Sequence, residues 1–258
     1  MINMDLISHL MKMKRMMMKP NFFVSIPYLN FFKAEVISEK GNEWLVIDGE
    51  VLFPPVIMKK TVVYPVNHIW TDFVNKKPYG SGWEVKLFDL EYMYNPQDFN
   101  YMNGGKWNVF RKNIRKWPKN NPGWYYTNSC PKNKIEALLA DWLGARLQYL
   151  QDADFIIHCI LEKPTGIHCK YLFNSSHELV AINAWDVNYA FINYRFIITN
   201  TDKFIDEFAR YLFYTDPEIQ AEGKLVNDGG ILDNIGLMKF KDKLNPVCLR
   251  SVNTWNKQ

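Results

Sequence analysis

Hydrophobic positions recur along this chain with two periods, three-to-four and two, and the switches between them predict its elements. The most informative switch lies in Gly223 to Pro246, GKLVNDGGILDNIGLMKFKDKLNP. Lys224 to Val226 reads as a short buried strand, Asn227-Asp228-Gly229-Gly230 as a polar turn, and the residues after it as a basic amphipathic helix that Pro246 stops. Val247 to Trp255 then alternates as a returning strand. Glycine tolerates positive φ, and Asn and Asp bond their own backbone, so the turn is well formed. At the end of a strand and ahead of a helix, it presents amides and a carboxylate where α/β folds hold ligands.

Upstream, Phe22 to Pro55 is strand-like: Trp44 to Ile47 is an apolar run, Asp48-Gly49 a hairpin turn, and Val51 to Phe53 the return. Residues 61 to 74 fit no single period, Lys76 to Gly82 reads as a loop and Trp83 to Leu90 as a strand. Asn103-Gly104-Gly105 opens a helix whose apolar stripe is Trp107, Phe110, Ile114 and Trp117, with Pro118 as its break. Lys106, Arg111, Lys112, Arg115 and Lys116 fall off that stripe. Arg111 and Arg115, four apart, share a face that suits phosphate or carboxylate, or simply water.

Asn120 to Pro131, rich in Asn, Pro and Gly, predicts a boundary. A strong amphipathic helix follows, marked by Ile135, Leu138, Leu139, Trp142, Leu143, Leu147 and Leu150. Strands are then expected at Phe155 to Leu161, His168 to Phe173, Glu178 to Asp186 and Tyr189 to Thr199, an antiparallel meander. Asn200-Thr201-Asp202 reads as the N-cap of a helix through Phe204, Ile205, Phe208, Ala209 and Leu212. That crossover helix makes the Lys224 strand parallel to its predecessor. The pattern therefore divides the chain into a leader or short helix (1–20), a first half (21–123) and a second half (124–258).

The 258 residues can bury a sizeable core, and 48% hydrophobic content excludes wholesale disorder. A net charge of +4 permits an anionic partner without demanding one. The four Cys include no CxxC pair, which points to a reduced, cytoplasmic protein. Cys159 and Cys169, with His158 and His168 beside them, would face each other across a hairpin. Their ten-residue spacing is not that of a zinc knuckle, so no metal is expected. The first twenty residues hold seven of the eleven Met but no long apolar run, so no integral membrane segment is expected there or elsewhere.

The order helix, meander, helix, strand, helix, strand, with a parallel pair at the centre of a mostly antiparallel sheet, resembles the GNAT acyltransferase fold. Two motifs narrow the likeness. EYMYNPQDFNYMNGGKWNVFRKNIRKW is similar to the segment before the second domain of the phosphatidylglycerol lysyltransferase C-terminal-like family. VNDGGILDNIGLMKFKDKLNP resembles that family's glycine-containing turn and Phe-Lys helix, and Fem-type aminoacyltransferases share the paired plan more distantly. The resemblance spans roughly residues 30 to 255. It implies an α+β (α/β) fold, a mixed sheet flanked by helices, built as two GNAT-like halves of which the N-terminal one is degenerate.

It also implies an N-acyltransferase that moves an acyl or aminoacyl group from an activated donor to an amine by direct attack. The candidate catalytic residues are Asp186 or Asp228 as base and Tyr194 as acid to the leaving group. Candidate donor or substrate contacts are Asn188, Arg195, Asn227, Gly229, Gly230, Lys239, Arg111 and Arg115. Strand parity places Asn193 and Arg195 on one face and Tyr194 on the other. If buried, Arg195 needs a partner, with Asp186 or Asp228 the candidates. The donor would be acyl-CoA or aminoacyl-tRNA. The place of the family's glycine-rich pyrophosphate loop reads ITNTDKF, and a carboxylate at Asp202 there disfavours coenzyme A. Two rival readings remain. One is a binder or modifier of DNA or RNA that uses Lys106 to Lys119 with Trp107, Trp117 and Trp124, in a chain whose Lys, Asn, Ile and Phe usage suggests an AT-rich, phage-like genome. The other is an inactive GNAT-like scaffold.

Overall fold

The structure, a computed structural model, describes residues 4–18, 20–39, 41–51, 68–71, 82–146, 150 and 152–258. Residues 52–67 and 72–81 lie outside the described set. So do the Pro54-Pro55 segment, most of the ambiguous 61–74 stretch and of the 76–82 loop, and Leu147 of the long helix.

The described strands form one eleven-stranded mixed sheet. In chain order they are β1 (Glu35–Glu39), β2 (Asn42–Ile47), β3 (Glu50–Val51), β4 (His68–Thr71), β5 (Trp83–Tyr94), β6 (Tyr125–Thr127), β7 (Ile167–Phe173), β8 (Leu179–Val187), β9 (Ile192–Thr199), β10 (Val226–Asn227) and β11 (Cys248–Lys257). Their spatial order is β1-β2-β3-β4-β11-β5-β10-β9-β8-β7-β6. The Asp48-Gly49 hairpin forms as expected, both residues at positive φ (49° and 81°), which matches the twist of the flanking strands.

The helices are α1 (Met4–Arg15), α2 (Ile26–Phe31), α3 (Pro96–Tyr101), α4 (Asn108–Ile114), α5 (Lys116–Asn120), α6 (Lys132–Arg146), α7 (Ala153–Glu162), α8 (Ile205–Tyr214), α9 (Pro217–Ala221) and α10 (Ile235–Asp242). They cover both faces. On one face the stripe Trp107, Phe110, Ile114 and Trp117 is buried with Phe208 and Phe213 of α8 against Tyr92, Tyr94 and Tyr194. On the other, α6 and α7 bury Leu138, Leu139, Ile156 and Ile160 against Tyr171, Ile182 and Ile198. The helices α3 to α5, although they precede Asn120, therefore share a core with α8, and β5 pairs with both β10 and β11.

The pairing of β10 with β9 is parallel, in register Val226↔Ile192 and Asn227↔Asn193, as the crossover helix requires. It stops there, while β9 runs on to Thr199. The two central strands thus part just past Asn193 and Asn227.

Three local expectations are corrected. Residues 153–162 are a helix, not the first strand of the meander. The run DFIIHCILE buries Phe155, Ile156, Cys159 and Ile160, a helical stripe that a short apolar run conceals. Cys159 and Cys169 are consequently not hairpin partners. Pro118 does not break the basic helix. The chain bends at Arg115, and Pro118 sits in the first turn of α5, where a missing N–H costs nothing. Asp202 is not the cap of α8. That position is Phe204 at φ 71°, while the Asp202 carboxylate accepts the Trp117 indole N–H at 3.1 Å.

Candidate functional site

Two polar clusters lie back to back at the point where β9 and β10 part, one on each face of the sheet. The first gathers Asp186, Asn193, Arg195, Asn227 and Glu91, all buried. The Asp186 carboxylate accepts from the Nε of Arg195, from Asn193 Nδ2 at 2.8 Å and from Ser25 Oγ at 3.1 Å. Arg195 Nη2 also donates to Ser25 Oγ at 2.5 Å. Glu91 on β5 accepts from Asn227 Nδ2 at 2.8 Å and from the backbone N–H of Phe22 at 2.7 Å. Burial pushes the Glu91 carboxyl up to about 7, against the pull of those two hydrogen bonds and of Arg195. Residues 20 to 25 cover this cluster, with the Phe22 ring 4.3 Å from the Arg195 guanidinium carbon.

The second cluster belongs to the opposite face. Asp228 pairs with Arg210 of α8 and accepts from the Tyr214 hydroxyl at 3.4 Å. Tyr194 donates to Asn183 Oδ1 at 2.5 Å, and burial raises its phenol well above the usual range, so it stays protonated. Lys241, buried on α10, clamps the turn by donating to the carbonyls of Asp228, Gly229 (3.0 Å) and Gly230 (2.9 Å). Desolvation lowers its pKa, opposed mainly by Asp228.

The turn itself is shaped by Asp89 of β5, whose carboxylate accepts from the amides of Ile231 (2.9 Å) and Leu232 (3.2 Å). A Cβ on Gly230 would fall 1.6 Å from Asp89 Oδ2, and one on Gly229, at φ +65°, would lie 3.4 Å from Phe22 Cζ. Gly230 is required because Asp89 occupies the space of a side chain, and Gly229 is favoured by its positive φ.

Of the residues singled out from sequence, Asp186, Arg195 and Asn227 meet in the first cluster, and Tyr194 and Asp228 sit in the second. Asn188 holds the 188–191 turn by accepting from the amides of Ala190 (2.8 Å) and Phe191 (2.7 Å). It also borders a cleft of about 350 Å³ whose walls include Ile7, Leu10 and Met11 of α1. Lys239 is exposed, Arg115 is exposed, and Arg111 is turned onto the Met102 carbonyl and Asn108. Sequence reading missed Glu91, Arg210, Lys241 and Ser25. Glu91, Arg210 and Lys241 stood inside otherwise ordinary strand or helix patterns and Ser25 just ahead of α2, and only the fold brings each to its partners. No group of three or more His, Cys, Asp or Glu able to hold a metal occurs among the described residues. Nor is any helix among them long and apolar enough to cross a membrane.

No protein-family model matches this chain, and no curated protein matches it either. Solved structures do. A conserved protein of unknown function from Bacteroides thetaiotaomicron is similar at 14% identity and a TM-score of 0.71, over 92% of this chain and 90% of that one. L-PGS from Bacillus licheniformis is similar at 15% identity and 0.64, over 98% and 91%. The C-terminal (DUF2156) domain of a putative lysylphosphatidylglycerol synthetase from Agrobacterium fabrum is similar at 11% identity and 0.61, over 98% and 92%. At such identities the likeness is one of fold, and with the parted parallel pair at the centre of a helix-flanked mixed sheet it is plain: this chain has a GNAT-like fold, shared with the C-terminal domains of lysylphosphatidylglycerol synthetases.

Proposed function

We propose that this chain transfers an acyl or aminoacyl group from an activated donor to an amine acceptor by direct attack. The observation that carries the reading is the gap opened where β9 and β10 part, with a buried cluster of ionisable groups on its edge. In such a transfer the amine gives up a proton, its nitrogen forms the new bond to the carbonyl carbon, and the bond from that carbon to the carrier oxygen or sulfur breaks as the leaving group takes a proton. Glu91 suits the first proton, because a carboxyl near 7 ionises at working pH and still holds a proton well. Asp186 and Asp228, each tied to a guanidinium, suit orientation and charge balance better than proton removal. Tyr194, protonated on the opposite face, would act on the leaving group only across the strand.

The character of the donor follows from the N-terminus of α8, the place where a coenzyme pyrophosphate would rest. Asp202, Asp206 and Glu207 crowd it, bonded to Trp117, Thr199 and Asn113. Three carboxylates disfavour a pyrophosphate. Lys112 on α4, Arg115 at the bend and Lys119 on α5 are exposed, on helices packed beside α8, and would suit the phosphates of a larger donor. We therefore favour an aminoacyl-tRNA over acyl-CoA. Calorimetric titration of the full chain with acetyl-coenzyme A, and separately with charged tRNA, tests this. Micromolar binding of the tRNA and none of the coenzyme is expected, and the reverse would overturn the donor assignment.

A further inference from the structure

Phe22 fills the gap between the central strands. Its ring lies on the Arg195 guanidinium of β9 on one side and against Gly229, just past β10, on the other. The strap that carries it, residues 20 to 25, is held by groups of the first cluster, and also by Asn188 Nδ2 on the Val24 carbonyl (3.4 Å) and Arg250 Nη1 on the Pro20 carbonyl (3.2 Å). The Phe22 N–H occupies Glu91, and Ser25 Oγ occupies both Arg195 Nη2 and Asp186. Even so, the cluster is left incomplete. Arg195 Nη1 and Asn193 Oδ1 are buried without a hydrogen-bond partner, as is Asn21 Nδ2 of the strap itself. An orphaned buried donor or acceptor is costly, so the donor and the acceptor left over in the cluster point to a partner that belongs there.

The chemistry of that partner can be read from what the strap vacates. With the strap displaced, Arg195 presents Nη1 and Nη2 together, the fork that receives a carboxylate in bidentate fashion. Asn193 Oδ1 and one oxygen of Glu91 become two acceptors for an ammonium or amine. The Phe22 N–H and Ser25 hydroxyl thus stand where an amine and a carboxylate oxygen would. Asp186 already balances Arg195, and Glu91 lies 3.9 Å from Arg250, so a net-neutral zwitterion upsets no charge. We infer that the cleft under Phe22 binds a small amino carboxylate, an amino acid or a close analogue, and that the 20–25 strap is an internal mimic that must leave to admit it.

This rests on the transfer reading only in making that ligand the acceptor. Its amine would pass a proton to Glu91 and attack the donor carbonyl. Phe22 is only half-buried, so the plug reaches the surface.

The test is binding, measured without any donor. The full chain, Phe22→Ala and Arg195→Lys are titrated with L-alanine and L-lysine, while hydrogen exchange is followed across residues 20–25. Removing the plug lifts the cost of opening, so Phe22→Ala should bind at least one probe on the order of tenfold more tightly than the wild type. Arg195→Lys, folded by circular dichroism, should bind more weakly, and the probe should speed exchange in the wild-type strap. Failure of both amino acids to bind Phe22→Ala, or binding with strap protection unchanged, overturns the inference. Amino-acid binding with no transfer from any donor would sink the enzymatic reading alone. Transfer to other amines without amino-acid binding would sink this inference alone.

Discussion

Arg195, the extra residue of a β-bulge, reaches Asp186 from the face it shares with Asn193. Across β8 and β9, Trp185 faces Tyr194 and Ala184 faces Phe196, and Arg195 has no opposite number. Two-residue alternation puts its side chain on the face of Asp186 and Asn193, and the bulge lets Phe196, the next residue, share that face with it. A strand otherwise filled with Ile, Tyr and Phe thereby carries a buried cation at the point where the central strands part.

Breaking that pair leaves a charge stranded. Asp186→Ala should lower unfolding free energy by about 3–5 kcal/mol, because Arg195 loses its counter-charge in a buried site. Asp186→Leu combined with Arg195→Met should recover most of it. Urea denaturation of the three proteins checks this, and a double variant no better than the single one contradicts it.

Glycine 230 is a matter of space. Gly230→Ala drives a methyl into the Asp89 carboxylate and should cost about 1–3 kcal/mol. Adding Asp89→Ala removes the obstacle, so the two changes should be less than additive in thermal unfolding.

The pH dependence of stability reports on Glu91. Its carboxyl lies at about 7 in the fold and near 4.5 as an isolated group, so between those values the folded chain keeps a proton that the unfolded chain has lost. Stability from this source is full below about 4.5, falls as pH rises to about 7, and is then constant, a span of about 3 kcal/mol. Glu91→Gln cannot ionise. The difference in unfolding free energy, variant minus wild type, should rise from pH 4.5 to 7 and level off above. A flat difference refutes the buried, proton-holding carboxyl.

Lys241 ties the Asp228–Leu232 turn to α10. Lys241→Met removes three hydrogen bonds from an ammonium to buried carbonyls. Exchange of the amides from Asp228 to Leu232 should accelerate, with about 1–3 kcal/mol lost globally. Unchanged exchange there would show the turn to be held without Lys241, by Asp89, Asn227 and the backbone of Tyr92.

Much of this was legible in the sequence, where a pattern has one cause. The parallel β9–β10 pair, the turn, the stripe on α4 and α5 and the Asp48-Gly49 hairpin follow from periodicity and turn chemistry, which are local. The parity argument also separated Arg195 from Tyr194 correctly, because two-residue alternation survives up to the bulge. Other features depend on tertiary contacts that leave no local trace. DFIIHCILE is a helix because both neighbouring layers bury its stripe, and an apolar run of that length reads equally well as a strand. Arg210, Lys241 and Glu91 are buried and paired across 18, 13 and 136 residues respectively, with Asp228, Asp228 and Asn227. No spacing rule links such pairs. Likewise, nothing in PNFFVS says that it folds over the cluster.

The central claim is acyl or aminoacyl transfer at the gap between β9 and β10. The most direct measurement is single-turnover transfer of radiolabel, from aminoacyl-tRNA and in parallel from acyl-coenzyme A, to amine acceptors by the full chain and by Glu91→Gln. The account predicts label on the amine with the wild type, from the tRNA donor in preference, and a loss of at least about a hundredfold in the variant that lacks the base. No transfer from either donor, or equal transfer by the Glu91→Gln chain, would contradict it.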